Sequence, residues 1–328
     1  MSFPPSSDGF PRRFAESSID AMTPDEAIRS TDGDAALSRL SAVSQGYLED
    51  PFASFFVRGR PTKSQYLRPP LINIGTHART LGIDELVRSF LSGPAQGGGQ
   101  IISLGAGSDT RFWRLQSDPV LKSSIHKYIE LDFPEITRQK AGFIRKSKAL
   151  SDPLGPIESI KLILSSDIFD PSKPTLWIAE CLLVYLDSVV SERTVEWFPK
   201  VCTGWVGGIV YEMFGLDDSF GKVLVSNLKS RQISLLSSHL YPTRSSQPDR
   251  FTSNGYSSGA GVQDINEIRQ IIISTEEKAR TSRLECLDEV EEMELLFKHY
   301  GISWGWRVSS EEAGMSEGTN WGLTTLRL

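Results

Sequence analysis

Cysteine and histidine are scarce in this 328-residue chain, which holds three of the first and four of the second. Cys181, Cys202 and Cys286 are scattered and odd in number, so they form neither a disulfide framework nor a paired metal motif. His77, His126, His239 and His299 lie far apart and none makes the H-x-x-x-H spacing, which argues against a metal site. Basic charge is not in excess either. A net charge of −6 leaves nothing to neutralise phosphates and disfavours nucleic acid as a partner. The longest apolar run, 176–186, contains Glu180 and is too short to span a bilayer. The N-terminus shows no charged-then-apolar signal pattern. There is no G-x-S-x-G elbow, H-E-x-x-H or P-loop, so hydrolase and NTPase chemistry has no motif behind it. The expectation is a soluble, cytoplasmic monomer with no metal, nucleic acid or membrane partner.

What is present centres on residues 101–111. Ile101-Ile102-Ser103-Leu104 reads as a buried strand, and Gly105-Ala106-Gly107 as a tight turn. Ser108 or Asp109 then caps a helix. Glycine at both turn positions permits positive φ and lets a ligand approach the main chain. A second strand over 126–132 ends in Asp132, where nucleotide-binding α/β folds hold a ribose diol. Thr110 stands where a dinucleotide fingerprint needs its third glycine. The turn therefore suits a ribose-bearing ligand without a pyrophosphate, of which S-adenosylmethionine is the common one.

Strands are expected at 100–105, 126–132, 159–166, 174–181 and 206–214, with helical patterns between most of them. That alternation predicts an α/β fold with a mostly parallel, Rossmann-like sheet. Aromatic runs at 302–308 and 321–328 suggest the late antiparallel strand that closes a methyltransferase sheet. Residues 1–30 read as a disordered tail, 31–95 as a helical cap, and 96–215 as the core. Residues 216–298 read as a helical, substrate-side insertion with a polar loop at 241–261, and 299–328 as the closing strands. One connection is awkward. About eight residues separate 159–166 from 174–181, where a parallel crossover usually takes about a dozen or more.

Asp132 is the strongest candidate for binding, its alternative being a strand-end carboxylate facing water. Glu180 sits in an otherwise apolar strand, which is costly unless it is paired or lies at the open end of the sheet. There it meets either the ligand or an internal arginine. Arg39 and Arg79 lie on helices before the sheet, and each could hold a carboxylate in bidentate fashion or be a solvated helix-face residue. Tyr185 and Tyr211 are either site residues or packing aromatics.

Taken together, these stretches resemble the leucine carboxyl methyltransferases, in their fungal-like form, which methylate the C-terminal leucine of the protein phosphatase 2A catalytic subunit. The resemblance runs from about Asp34 onward. It rests on 42–47, 72–79, 104–110 with 112–115, 130–134 and 174–185, and later on 218–221, 227–228 and 284–289. It implies a class I S-adenosylmethionine-dependent fold with a helical cap. It also implies methyl-ester formation on the leucine α-carboxylate. Residue by residue, it puts Arg39 on the cofactor carboxylate and Arg79 near both cofactor and substrate carboxylates. Gly105 falls in the glycine turn, Asp132 on the ribose, Glu180 at the strand end, and Tyr185 beside the substrate. The chain departs from the family after the third strand. Relatives carry a longer segment with an Asp-Leu-Arg signature there, whereas this sequence has Ser165-Ser166-Asp167, with Asp167 the candidate for the adenine-side aspartate. Two other functions remain in view. One is a tRNA wybutosine-type carboxyl methyltransferase, for which a further propeller domain is expected. The other is a cofactor-binding, phosphatase-interacting protein with weakened activity, suggested by the shortened segment.

Overall fold

The structure, a computed structural model, describes residues 22–154, 168–288, 290–309 and 321–323. Among these described residues the frame is one six-stranded sheet. In chain order the strands are β1 (Gly99–Leu104), β2 (Ile125–Leu131), β3 (Thr175–Glu180), β4 (Val206–Met213), β5 (Gly259–Asp264) and β6 (Tyr300–Arg307). Across the sheet they run β2-β1-β3-β4-β6-β5. The first four are parallel, while β6 is antiparallel to β4 and β5 antiparallel to β6. This is the α/β fold with a late antiparallel strand that the sequence predicts. The expected strand at 159–166 lies outside the described residues, as do 324–328.

β1 and β4 are buried along their whole length, as strands covered on both faces must be. Alternate residues serve two cores. Ile101 and Leu176 face α2 (Pro70–Ser92), where Leu86 and Phe90 are fully buried. Ile102 and Trp177 face α5 (Ser188–Val201), where Trp177 stacks on Phe198 at 5.3 Å. The remaining labelled helices are α1 (Pro24–Ser44), α3 (Arg111–Gln116) and α4 (Pro134–Lys146). Pro70 and Pro134 each occupy a first helical turn, where proline's fixed φ is already suitable and its missing N–H is not needed. Among the described residues, no helix is long and apolar enough to cross a membrane.

Two expectations need correction. The tail assigned to 1–30 gives way to α1 at Pro24. Thr23 and Glu26 form a reciprocal capping box there, with Pro24 at the first helical position. The insertion expected to be helical over 216–298 contains β5. Its Gly-Ala-Gly start has weak strand propensity and reads as loop. The glycines are needed because a Cβ at Gly259 would lie 2.2 Å from the Trp306 ring, and one at Gly261 would lie 2.6 Å from Trp304. Within that insertion the helix Ser219–Ser230 stops just before Gln232, which turns to φ +61.

Candidate active site

The carboxyl ends of the parallel strands open onto a cleft of about 450 Å³. Register sets them level: Leu104 pairs with both Leu131 and Ala179, and Glu180 pairs with Tyr211. β6 runs the other way, so its first residue, Tyr300, meets Met213 at the same edge. Residues of α1 and α2 line the facing wall.

At one end β1 passes into the glycine turn. Gly105 has φ +63 and Gly107 φ +46, the left-handed region that glycine tolerates. A Cβ would come within 3.1 Å of Leu182 at the first position and 2.6 Å of Asp32 at the second, so neither position has room for a side chain. Asp132 follows β2. Gly107 N–H donates to its Oδ2 at 2.6 Å and Phe133 N–H to its Oδ1 at 2.7 Å. An ionised carboxylate accepts about four hydrogen bonds, so capacity for a diol remains. Burial pushes the Asp132 carboxyl above its ordinary value; the two N–H groups oppose that shift, and nearby Asp32 adds to it. Asp32, on α1, accepts Ser108 N–H at 2.6 Å and the Ser108 hydroxyl at 3.0 Å. The first half of α1 is thereby pinned to the glycine turn.

At the other end Glu180 closes β3. Arg79 Nε, from α2, donates to its Oε2 at 2.7 Å, and Arg111 Nη2, at the start of α3, donates to its Oε1 at 2.7 Å. The arginine-paired alternative is thus realised, on the cleft wall itself. Burial alone would raise the Glu180 carboxyl, but the two guanidiniums outweigh it and hold the group below its ordinary range. Arg111 is 2% exposed, and its other nitrogens serve Asp109 at 2.6 Å and Asp84 at 3.2 Å. Arg114 pairs with Asp84, and Arg39 pairs with Asp50. Each guanidinium in this cluster has a carboxylate against it, the condition under which buried charge is tolerated.

Arg79 is fixed further by its guanidinium, which lies 4.3 Å from the centroid of the Tyr211 ring; that ring stacks on Tyr300 at 5.7 Å. Tyr185 sits in the short Leu183–Tyr185 turn beyond β3 and lines the same wall. Burial drives its phenol well above the usual value, so at neutral pH it is a neutral donor. Burial also pushes the Cys181 thiol up to about 12, which leaves no thiolate for nucleophilic work. Between the charged groups the wall is apolar, built from Leu71, Ile72, Ile265, Leu296 and Phe297.

Arg39, Arg79, Gly105, Asp132, Glu180 and Tyr185, singled out from the sequence, therefore converge on one cleft. Asp167 lies outside the described residues. Sequence reasoning missed Asp32, Asp84 and Arg111. For Arg111 a signal existed: with Arg114 it puts two cations one turn apart on a six-residue helix whose Trp113 and Leu115 are buried.

The leucine carboxyl methyltransferase family model matches residues 27–198. A leucine carboxyl methyltransferase 1 from Cryptococcus neoformans is 40% identical over 341 aligned residues, covering 87% of this chain and 94% of the relative. One from Aspergillus fumigatus is 38% identical over 88% of this chain and 84% of the relative. One from Bos taurus is 32% identical over 91% of this chain and 95% of the relative.

Proposed function

The chain belongs to the leucine carboxyl methyltransferase family and is a methyltransferase enzyme. On that premise we propose that it esterifies the α-carboxylate of a C-terminal leucine on a protein, the protein phosphatase 2A catalytic subunit, with S-adenosylmethionine as donor. The observation that carries this reading is the pairing, in one cleft, of the glycine turn and Asp132 with Arg79, Tyr185 and an apolar wall.

The donor fits the first end. The turn brings backbone to the cleft wall, and Asp132 keeps acceptor capacity for two ribose hydroxyls. Arg39 lines the cleft as a cationic partner for the donor carboxylate. When bound, S-adenosylmethionine supplies an electrophilic methyl group on a sulfonium.

The acceptor fits the second end. A leucine carboxylate is ionised at neutral pH and is itself the nucleophile, so no general base is required. The task left to the protein is to strip water from one carboxylate oxygen and hold it in line for transfer. Arg79 orients that carboxylate without protonating it, because the guanidinium keeps its own protons. Tyr185 adds a neutral donor, and Leu71, Ile72, Leu296 and Phe297 supply the apolar surface a leucine side chain requires.

The direct test is incorporation of labelled methyl into purified phosphatase catalytic subunit. The intact tail should acquire a base-labile ester, and a tail lacking the terminal leucine should not. Equal labelling of both tails would refute the reading.

A further inference from the structure

Behind Tyr185 lies a buried ion pair that does not touch the cleft. Glu212, near the end of β4, is 3% exposed, and Arg250, in the short helix Asp249–Thr252, is 4% exposed. Arg250 Nη2 donates to Glu212 Oε2 at 2.8 Å. The other carboxylate oxygen, Oε1, accepts Val184 N–H at 2.7 Å. Val184 is the middle residue of the turn that ends in Tyr185. The same turn is held from a second side by Ser237, whose hydroxyl donates to Leu183 O at 2.7 Å and whose N–H donates to Val184 O at 3.3 Å.

Stability does not account for this pair. A buried ion pair is often no better than apolar side chains of the same volume. Here the guanidinium is also incompletely used: among the described residues, Arg250 Nε and Nη1 have no hydrogen-bond partner. An apolar pair could not, however, accept a backbone N–H within a turn that has few partners of its own.

We infer that Glu212 and Arg250 are a positioning pair: Arg250 fixes the Glu212 carboxylate, Glu212 fixes the Leu183–Tyr185 turn, and the turn sets the Tyr185 ring for methyl transfer. The inference rests on the role proposed above for Tyr185. It gives segment 241–252 a task at the active site, although neither Glu212 nor Arg250 lines the cleft. The segment is anchored on its own account, with the Arg250 guanidinium 5.0 Å from the Tyr241 ring centroid and Gly215 N–H donating to Pro242 O at 2.8 Å.

The test compares Glu212→Gln with Glu212→Leu, both in an Arg250→Gln background so that no buried charge is left unpaired. Glutamine keeps an acceptor for Val184 N–H and leucine does not. Turnover should be about tenfold lower with leucine than with glutamine, with the donor KM within about threefold, the division expected for an interaction made in the transition state. Amide exchange at Val184 should be faster with leucine by about fivefold or more, the loss of one buried hydrogen bond. In a Tyr185→Phe background the turnover difference between the two should shrink to within about twofold, because coupled residues are not additive. Equal turnover and equal exchange would overturn the inference. So would a difference that persists undiminished once the Tyr185 hydroxyl is removed, which would mark general loosening. If the leucine variant does not fold, Arg250→Lys carries the test, with the same slowed turnover and faster Val184 exchange expected, and wild-type values overturning the pair's role. If the wild-type protein transfers no methyl to a leucine carboxylate, the functional reading fails separately, and exchange at Val184 still decides whether Glu212 holds the turn.

Discussion

At the glycine end of the cleft, Asp132 accepts hydrogen bonds from backbone groups 25 and 1 positions away in the chain. At the arginine end, Glu180 accepts them from side chains 101 and 69 positions away. The first site is made largely by one strand–turn–helix unit and its neighbouring strand. The second exists only when α2, α3 and β3 are docked together. A site of the first kind can lose its key side chain and lose mainly a ligand. A site of the second kind carries stability and function in the same ion pairs.

The largest expected effect strikes the arginine end. Arg111→Met would leave Asp84, Asp109 and Glu180 each short of a buried partner. Stability should fall by about 3–5 kcal/mol, as when one member of a buried charge cluster is removed. Urea unfolding measures it, and a loss as small as that of a surface substitution would erase the contrast between the two ends. Arg79→Lys is gentler on the fold, since it keeps the charge but loses the planar fork. Turnover should drop by about tenfold or more, the worth of a charge-assisted hydrogen bond, while the urea midpoint moves little. At the glycine end, Asp132→Ala should raise the donor dissociation constant by about tenfold or more on the same grounds. Calorimetric titration reads this, and unchanged affinity would reduce Asp132 to a surface carboxylate.

Acid sharpens the contrast because the two carboxylates shift in opposite directions. Glu180 lies below its ordinary value of 4.5 in the folded protein. Its contribution to stability is therefore present above 4.5 and lost as pH falls through the folded value. Asp132 lies above its ordinary 3.8, so its contribution is present below 3.8 and lost as pH rises through the folded value. In urea midpoints taken between about pH 3 and 6, Glu180→Gln should flatten the acid-side loss, whereas Asp132→Asn should slightly favour the folded state at the upper end. The same sign for both variants would contradict the assignment. The smallest effect belongs to the wall the ends share. Thr23→Ala removes the cap of α1 and should cost about 1 kcal/mol, read from the urea midpoint.

The contrast also explains what could be read in the sequence. The glycine turn, Asp132 and the strand carrying Glu180 announce themselves because strand, turn and carboxylate are contiguous. β6 was legible from its alternating aromatics, whereas β5 was not, since its glycines are chosen for the Trp304 and Trp306 rings they abut and not for strand propensity. The start of α1 was hidden by a polar first turn, although Thr23-Pro24 with Glu26 is a capping signature. Asp32 and Asp84 were out of reach for a different reason. Each is an ordinary surface residue type until tertiary contacts bury it, and no local pattern records those contacts.

The division of labour between the two ends is tested most directly by single-turnover methyl transfer to the phosphatase catalytic subunit across a range of S-adenosylmethionine concentrations. Asp132→Ala should recover to within about threefold of the wild-type rate once the donor saturates, because its lesion lies mainly in donor binding. Arg79→Lys should stay about tenfold or more below it at every donor concentration, because the acceptor carboxylate is left misaligned. Full recovery of Arg79→Lys by excess donor would contradict the assignment of that end to the acceptor.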